Sequence, residues 1–420
     1  MATSVQDMVR PGECLDIYYY DGETNQKQCW PTTQNTKFSQ GFQNLRSGTS
    51  TFTIPPNMGI QDIVVEMKMP AVNPNTGLAL PRGWGYALIK QVSFRYGGSS
   101  TYFLTGDQVL QNALRRQTNR QSADDILSLG GSFLAGADLN SSTNYATVVL
   151  TLPHNIPSGV GKAFPLPSDL LTQQVIVQVE LNPIGSVFSV NPGGGSSPTP
   201  VELDLAQFVV QQVTFNNQGD SLARRVDMSV NAYAMPVEFV QQRVQVPLTT
   251  DTEQELSLTG FRSGEVTAIH CWITTDGDQN GSLAGNVGAV NPFRWYPALS
   301  YTVTYAGDVY ARYENASSAL WALINGNKTP VVDNVLVNIA APPTGTSILS
   351  EWAELPFAQT HVSEDAHYTL VHGKAIQNGI LNLRIVLDAT TAAIANKKLN
   401  ISYIYNSTLL FSQGTCDYSF

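Results

Sequence analysis

Apolar and polar residues alternate with a period of two along most of this chain. Ile63, Val65, Met67 and Met69 share one face of a segment whose other face carries Val64, Glu66 and Lys68. Val175, Val177, Val179 and Leu181 alternate with Ile176, Gln178 and Glu180. Leu381, Leu383, Ile385 and Leu387 alternate with Asn382, Arg384, Val386 and Asp388, and Leu399, Ile401, Tyr403 and Tyr405 with Asn400, Ser402, Ile404 and Asn406. Side chains of an extended strand point to opposite sides of a sheet in turn, so each run predicts a strand with one buried face. Clusters of Gly, Pro and Asn separate the runs, as turns between antiparallel strands require. Helical signals are few. Thr105-Gly-Asp-Gln108 reads as a capping box opening a helix over Val109–Arg116, with Thr105 as N-cap and Gln108 reaching back. Ser122–Leu129 and Ser317–Leu323 are the other candidates. All are short, which predicts an all-β protein whose helices decorate loops.

The pattern recurs. Trp84-Gly-Tyr-Ala-Leu88 leads into a strand ending Phe94-Arg-Tyr96, followed by a Gly97-Gly98 tip, Tyr102-Phe103 and a helix with Leu110 and Leu114. Trp295-Tyr-Pro-Ala-Leu299 leads into Val303-Thr-Tyr305, followed by an Ala306-Gly307 tip, Tyr310 and a helix with Leu320 and Leu323. Tyr96 and Tyr305 are 305 − 96 = 209 residues apart. Thr151-Leu-Pro153 and Glu354-Leu-Pro356 are offset by 356 − 153 = 203, and the strands starting at Val175 and Leu381 by 381 − 175 = 206. Three pairs in one order at a nearly constant offset argue for two copies of one fold.

A length of 420 residues suits two such units. We expect an N-terminal arm over residues 1–36, a first sandwich over 37–235 and a second over 236–420. The Gly/Ser/Pro stretch Asn191–Pro200 falls inside the first unit by its offset, so it reads as an exposed loop rather than a linker.

Composition narrows the function. Charged residues make up 13% of the chain, about half the usual share, so Ser, Thr, Asn, Gln and Gly must cover the surface. Such a surface suits a protein whose outside meets neighbours. The net charge of −10 opposes wrapping of nucleic acid. The paired arginines Arg115–Arg116 and Arg224–Arg225 read as solvated positions. The N-terminus shows no secretory signal, and no apolar run approaches the roughly 18 residues that span a bilayer. A cytoplasmic product is therefore expected. Cys14, Cys29, Cys271 and Cys416 form neither a disulfide framework nor a zinc spacing, although Cys14 and Cys29 could bridge within the arm.

Candidate chemistry is sparse. Ser158-Gly-Val-Gly-Lys-Ala163 resembles a phosphate loop but has Ile156 where a glycine is needed, Ala163 after the lysine, and Pro165 and Pro167 where a helix should start. His361, Glu364, Asp365, His367 and His372 could ligate a divalent cation, yet their spacing matches no HExxH helix and a charged loop gives the same pattern. Metal there would fasten an interface rather than catalyse. Ser132 misses the spacing of a nucleophile elbow, and Asp124–Asp125 or Glu351–Glu354 alone do not define a glycosidase. Sequons at Asn140, Asn280, Asn315, Asn327, Asn400 and Asn406 arise readily in a chain this rich in Asn, Ser and Thr. The expectation is therefore no catalytic, cofactor or metal residue.

In the order and spacing of its segments the chain resembles the double jelly-roll major capsid proteins of eukaryotic double-stranded DNA viruses, namely the nucleocytoplasmic large DNA viruses, virophages and polinton-like viruses. Ser50-Thr-Phe-Thr-Ile-Pro55 with Ile60–Pro70 is similar to that family's first strands, Trp84–Gly98 to its strand and Gly-Gly tip, and Gly106-Asp-Gln-Val-Leu110 to its post-tip helix. Val148–Pro153 with Phe164–Ser168 resembles its Leu-Pro segment, Val237–Val244 the entry to the second barrel, and Leu399–Gly414 the closing strand. The resemblance implies two tandem eight-stranded antiparallel jelly rolls, side by side, in a subunit that trimerises into pseudo-hexagonal capsomers of an icosahedral shell. It also implies residence in the virion after synthesis in the host cytoplasm. The implied partners are neighbouring capsomers and minor or cement proteins, with an inner membrane possible nearby. Two rival readings are a carbohydrate-binding or adhesive double sandwich and a β-sandwich glycosidase or lyase.

Overall fold

The computed structural model describes residues 33–55, 59–73, 78–97, 101–115, 120–140, 144–150, 166–168, 171–190, 199–215, 233–275, 293, 295–296, 298–314, 352–357, 374–376 and 381–419. Strands of the first half are β1 (Thr33–Gly41), β2 (Gly48–Ile54), β3 (Gly59–Lys68), β4 (Leu78–Leu80), β5 (Ile89–Arg95), β6 (Tyr102–Thr105), β7 (Leu134–Ala135), β8 (Tyr145–Leu150), β9 (Leu166–Pro167), β10 (Val175–Leu181), β11 (Ser189–Val190) and β12 (Leu205–Phe215). Helices α1 (Trp84–Leu88), α2 (Gly106–Arg115) and α3 (Arg120–Leu129) lie between them. Strands of the second half are β13 (Tyr233–Val240), β14 (Val244–Pro247), β15 (Glu253–Leu258), β16 (Gly264–Thr275), β17 (Ser300–Tyr305), β18 (Asp308–Glu314), β19 (Ala353–Pro356), β20 (Lys374–Ile376), β21 (Leu381–Val386), β22 (Lys397–Ser412) and β23 (Thr415–Ser419), with α4 at Ala389–Ala392.

All ladders are antiparallel. The first half forms one sheet in the order β1-β12-β3-β8 and another in the order β2-β10-β5-β6, with small additions from β9 and from β11-β4-β7. The second half repeats both, as β13-β22-β16-β19 and β15-β21-β17-β18, with β14, β20 and β23 added. Eight principal strands in two four-stranded sheets make a jelly roll, and the chain makes it twice. No described strand pairs across the two halves.

Register proves the duplication residue by residue. In the first roll Gln211 and Gln212 face Asp62 and Ile60, so Gln61 bulges out of the ladder. In the second, Ile404 and Tyr405 face Ala268 and Val266, and Thr267 bulges. The two bulges are 267 − 61 = 206 residues apart, the offset read from Val175 and Leu381. The 209-residue pairing of Tyr96 with Tyr305 also holds, since Arg95 faces Ile176 just as Thr304 faces Asn382. The Leu-Pro pairing shifts by two. Val148 faces Val65 and Ala353 faces Cys271, which gives an offset of 353 − 148 = 205 rather than 203.

Inside each roll the alternation does what it predicts. Ile63, Val65, Met67 and Met69 are fully buried while Val64, Glu66 and Lys68 are partly exposed. Across the gap between sheets, the rings of Phe52 on β2 and Phe208 on β12 stack at 4.4 Å. The tip joining β17 to β18 is a two-residue turn with both residues left-handed, Ala306 at φ 53° and Gly307 at φ 93°. That geometry matches the right-handed twist of the flanking strands.

Strands β1 and β13 begin at Thr33 and Tyr233, so the expected edges at 36/37 and 235/236 each fall inside a strand. Trp84–Leu88 forms a helix before the strand, entered through Gly83 at φ 73°. The predicted Val109–Arg116 and Ser122–Leu129 helices are present as α2 and α3, whereas Ser317–Leu323 lies outside the described residues.

Candidate interaction faces

The two rolls meet through side chains that no local pattern announces. Strand β22 is buried on both faces, not one. Leu399, Ile401, Tyr403 and Tyr405 fill the second roll's own core, and Asn400 and Ser402 on the other face are equally shielded. Their neighbours across the ladder are Trp272 and His270 of β16, also buried. This polar face is covered by the first roll. The Gln108 side-chain amide donates to Ser402 Oγ and to the Gln241 carbonyl, each at 2.9 Å. The Asp107 carboxylate takes a hydrogen bond from Trp272 Nε1 at 3.0 Å and an ion pair from Arg243 at 2.6 Å. Asn400 is satisfied within the second roll by Gln245, the Trp272 carbonyl and Thr274.

Helix α2 presents these groups because its start is fixed. Gln108 Oε1 accepts the Thr105 backbone N–H at 3.2 Å, the reach-back expected of a capping box. Asp107 Oδ1 accepts the Gln108 amide at 3.0 Å and the Thr105 hydroxyl. The helix therefore does more than decorate a loop. Its first turn is the contact between rolls.

A second contact lies at the chain's C-terminal end. The Gln413-Gly414 turn joins β22 to β23, and the Gly414 carbonyl accepts both the backbone N–H and the hydroxyl of Thr172, at 2.8 and 3.0 Å. Cys416 Sγ lies 3.4 Å from the Tyr96 carbonyl. The ring of Phe239 meets those of Tyr102 and Tyr418 edge-on, at 5.0 and 5.1 Å.

Among the described residues the matching face of the first roll is less fully covered. Register equates His270 with Val64, Trp272 with Glu66, Ser402 with Val209, Asn400 with Gln207 and Glu354 with Val149. In the second roll this face is shut, and His270 Nε2 lies 3.2 Å from Glu354 Oε2. In the first, Val64, Glu66, Gln207 and Val149 are partly exposed, and Tyr145 at the sheet's end is 53% exposed.

Most of the sequence-derived candidates fall elsewhere. His361, Glu364, Asp365, His367, His372, the 158–163 loop, Arg224–Arg225, Cys14 and Cys29 lie outside the described residues. Ser132 is exposed in the loop after α3, Asp125 is exposed on that helix, and Glu354 is committed to His270. Cys271 and Cys416 are buried free thiols. Of the described sequons, Asn400 is buried in the ladder, Asn406 is partly exposed on the same strand and Asn140 is exposed. Among the described residues no three His, Cys, Asp or Glu side chains gather as a metal site, and no helix is long and apolar enough to cross a membrane.

Two jelly rolls packed side by side through one outer sheet face define a double jelly-roll protein. The same fold is found in virus capsid proteins. A crystal structure of PBCV-1 VP54, fitted into a cryo-EM reconstruction of the virophage Sputnik, matches with a TM-score of 0.62 at 14% identity, over 92% of this chain and 97% of that one. The cryo-EM structure of the Sputnik virophage matches with a TM-score of 0.59 at 12% identity, over 95% and 91%. The Faustovirus major capsid protein matches with a TM-score of 0.51 at 9% identity, over 94% and 93%. The chain thus has the double jelly-roll fold of these capsid proteins over most of its length. The sequence matches no protein-family model and no curated protein.

Proposed function

We propose that this chain is a structural capsid subunit, without catalytic activity, that assembles head to tail into a trimeric capsomer. The observation that carries the reading is the pair of equivalent sheet faces. One is closed by the neighbouring roll within the chain, and its duplicate on the first roll is partly exposed among the described residues. A second copy's second roll is the natural occupant, because it repeats within the assembly the roll-to-roll contact already made within the chain. Contacts of this heterologous kind close into rings. The partly apolar character of Val64 and Val149 suits such a contact, as does the low charge of the chain.

The capsid roles of the matched proteins support the same reading, and three copies of two rolls give the six-sided outline that tiles a shell. On this reading the protein resides in the virion and meets neighbouring capsomers and minor proteins. We divide the chain into an arm, a first roll and a second roll, with the cuts moved from 36/37 and 235/236 to just before the strands that start at Thr33 and Tyr233.

Light scattering coupled to size-exclusion chromatography tests the proposal. The full chain should elute at about three times 45.6 kDa. A Val64→Arg/Val149→Arg double variant should run as a folded monomer. A full chain that stays monomeric at micromolar concentration overturns the reading.

A further inference from the structure

We infer that the C-terminal hairpin, residues 413–419, is a latch between the two rolls that opens and closes independently of the core of the second roll. Strand β23 is five residues long and, among the described strands, pairs with β22 alone. Its hairpin contacts the other roll, through Gly414 to Thr172, Cys416 to Tyr96, and Tyr418 to the Tyr102–Phe239 ring pair.

The fit at the turn is close. Gly414 sits at φ 77°, and a Cβ there would lie 2.3 Å from Thr172 Cγ2. The left-handed backbone disfavours any other residue, and a Cβ would also force the Thr172 side chain to move. Terminal segments fray unless tied down, and this one is tied to the first roll by a few contacts at its tip and along one face. Thr415, Asp417 and Ser419 on its opposite side are exposed. Few buried contacts mean that opening the hairpin costs much less than unfolding the sheet behind it. The latch thus governs how firmly one roll is held against the other. Resting on the head-to-tail reading, it also governs whether the chain presents a fixed angle to its neighbours.

Two buried cysteines make the test direct. Cys416 lies in the latch and is 2% exposed, while Cys271 lies in the core of the second roll and is fully buried. Pulsed alkylation with N-ethylmaleimide at neutral pH, read peptide by peptide by mass spectrometry, reports the opening of each. In the full chain Cys416 should label at least about tenfold faster than Cys271, because only local opening is needed. Gly414→Ala should raise the Cys416 rate by a further factor of about ten and leave Cys271 unchanged. Equal rates at the two cysteines in the full chain, or a parallel rise at both in the variant that stays folded, would overturn the inference. Should the variant fail to fold, the ratio within the unsubstituted chain still decides. Chromatography of the same sample reports assembly separately, so a monomeric protein with unequal cysteine rates would refute the capsomer and keep the latch.

Discussion

The carboxylate of Asp107 and the guanidinium of Arg243 meet at 2.6 Å between the two rolls, with side chains 2% and 9% exposed. A charge pair so shielded is costly to break from one side. Asp107→Ala should destabilise the chain by about 3–5 kcal/mol, since it takes a buried ion-pair partner from Arg243 and removes the acceptor of Trp272. Replacing both, as Asp107→Leu with Arg243→Met, should recover much of that loss. Urea unfolding of the two variants checks the order, and a double variant less stable than Asp107→Ala would contradict it.

Ala306 occupies a left-handed position at φ 53°, which disfavours any side chain that cannot bond locally. Ala306→Asn should therefore raise stability by about 0.5–1 kcal/mol, by giving the tip the Asn-Gly pair that such turns prefer. A thermal melt suffices to detect it.

Gly106 opens α2 against the strand before it. A Cβ there would lie 2.0 Å from the Ile89 carbonyl oxygen. Gly106→Ala should cost about 2 kcal/mol or more, as overpacking against backbone does. It should also loosen the contact between rolls, because Asp107 and Gln108 follow directly. Hydrogen exchange at the Ser402 and Gln241 amides would register that loosening.

Alkaline pH should destabilise the second roll. Burial pushes the Cys416 thiol from 9.0 up to about 12, and burial likewise raises the Tyr405 phenol from 10.0 to about 12, despite its hydrogen bond to Arg262. Both groups stay protonated in the fold and ionise sooner when unfolded. Their stabilising contribution is therefore complete below pH 9 to 10 and is lost as pH rises toward 12. Cys416→Ala should blunt the part of that loss between pH 9 and 12, measured by urea titrations at stepped pH.

Sequence alone revealed the strands and their duplication because those depend on local alternation and on turns. Val175–Leu181 is a strand to the residue, and Tyr96 and Tyr305 are true equivalents. The contact between rolls was not legible. Asn400 and Ser402 read as the wet side of a strand, since polarity in alternation looks the same whether water or another roll lies opposite. Asp107 is 136 residues from Arg243 and 165 from Trp272, distances at which no periodicity connects them. The one usable hint was Gln108, whose oxygen caps its helix and whose nitrogen was left to bond elsewhere.

The bulges at Gln61 and Thr267 have a bearing on the protein's past. A point substitution alters one side chain, but erasing a bulge takes a deletion that turns every later residue of the strand inside out. Such a feature outlasts the sequence around it. The shared bulge is a fossil of an ancestral single sandwich, kept in both descendants after the residues lining them had drifted apart.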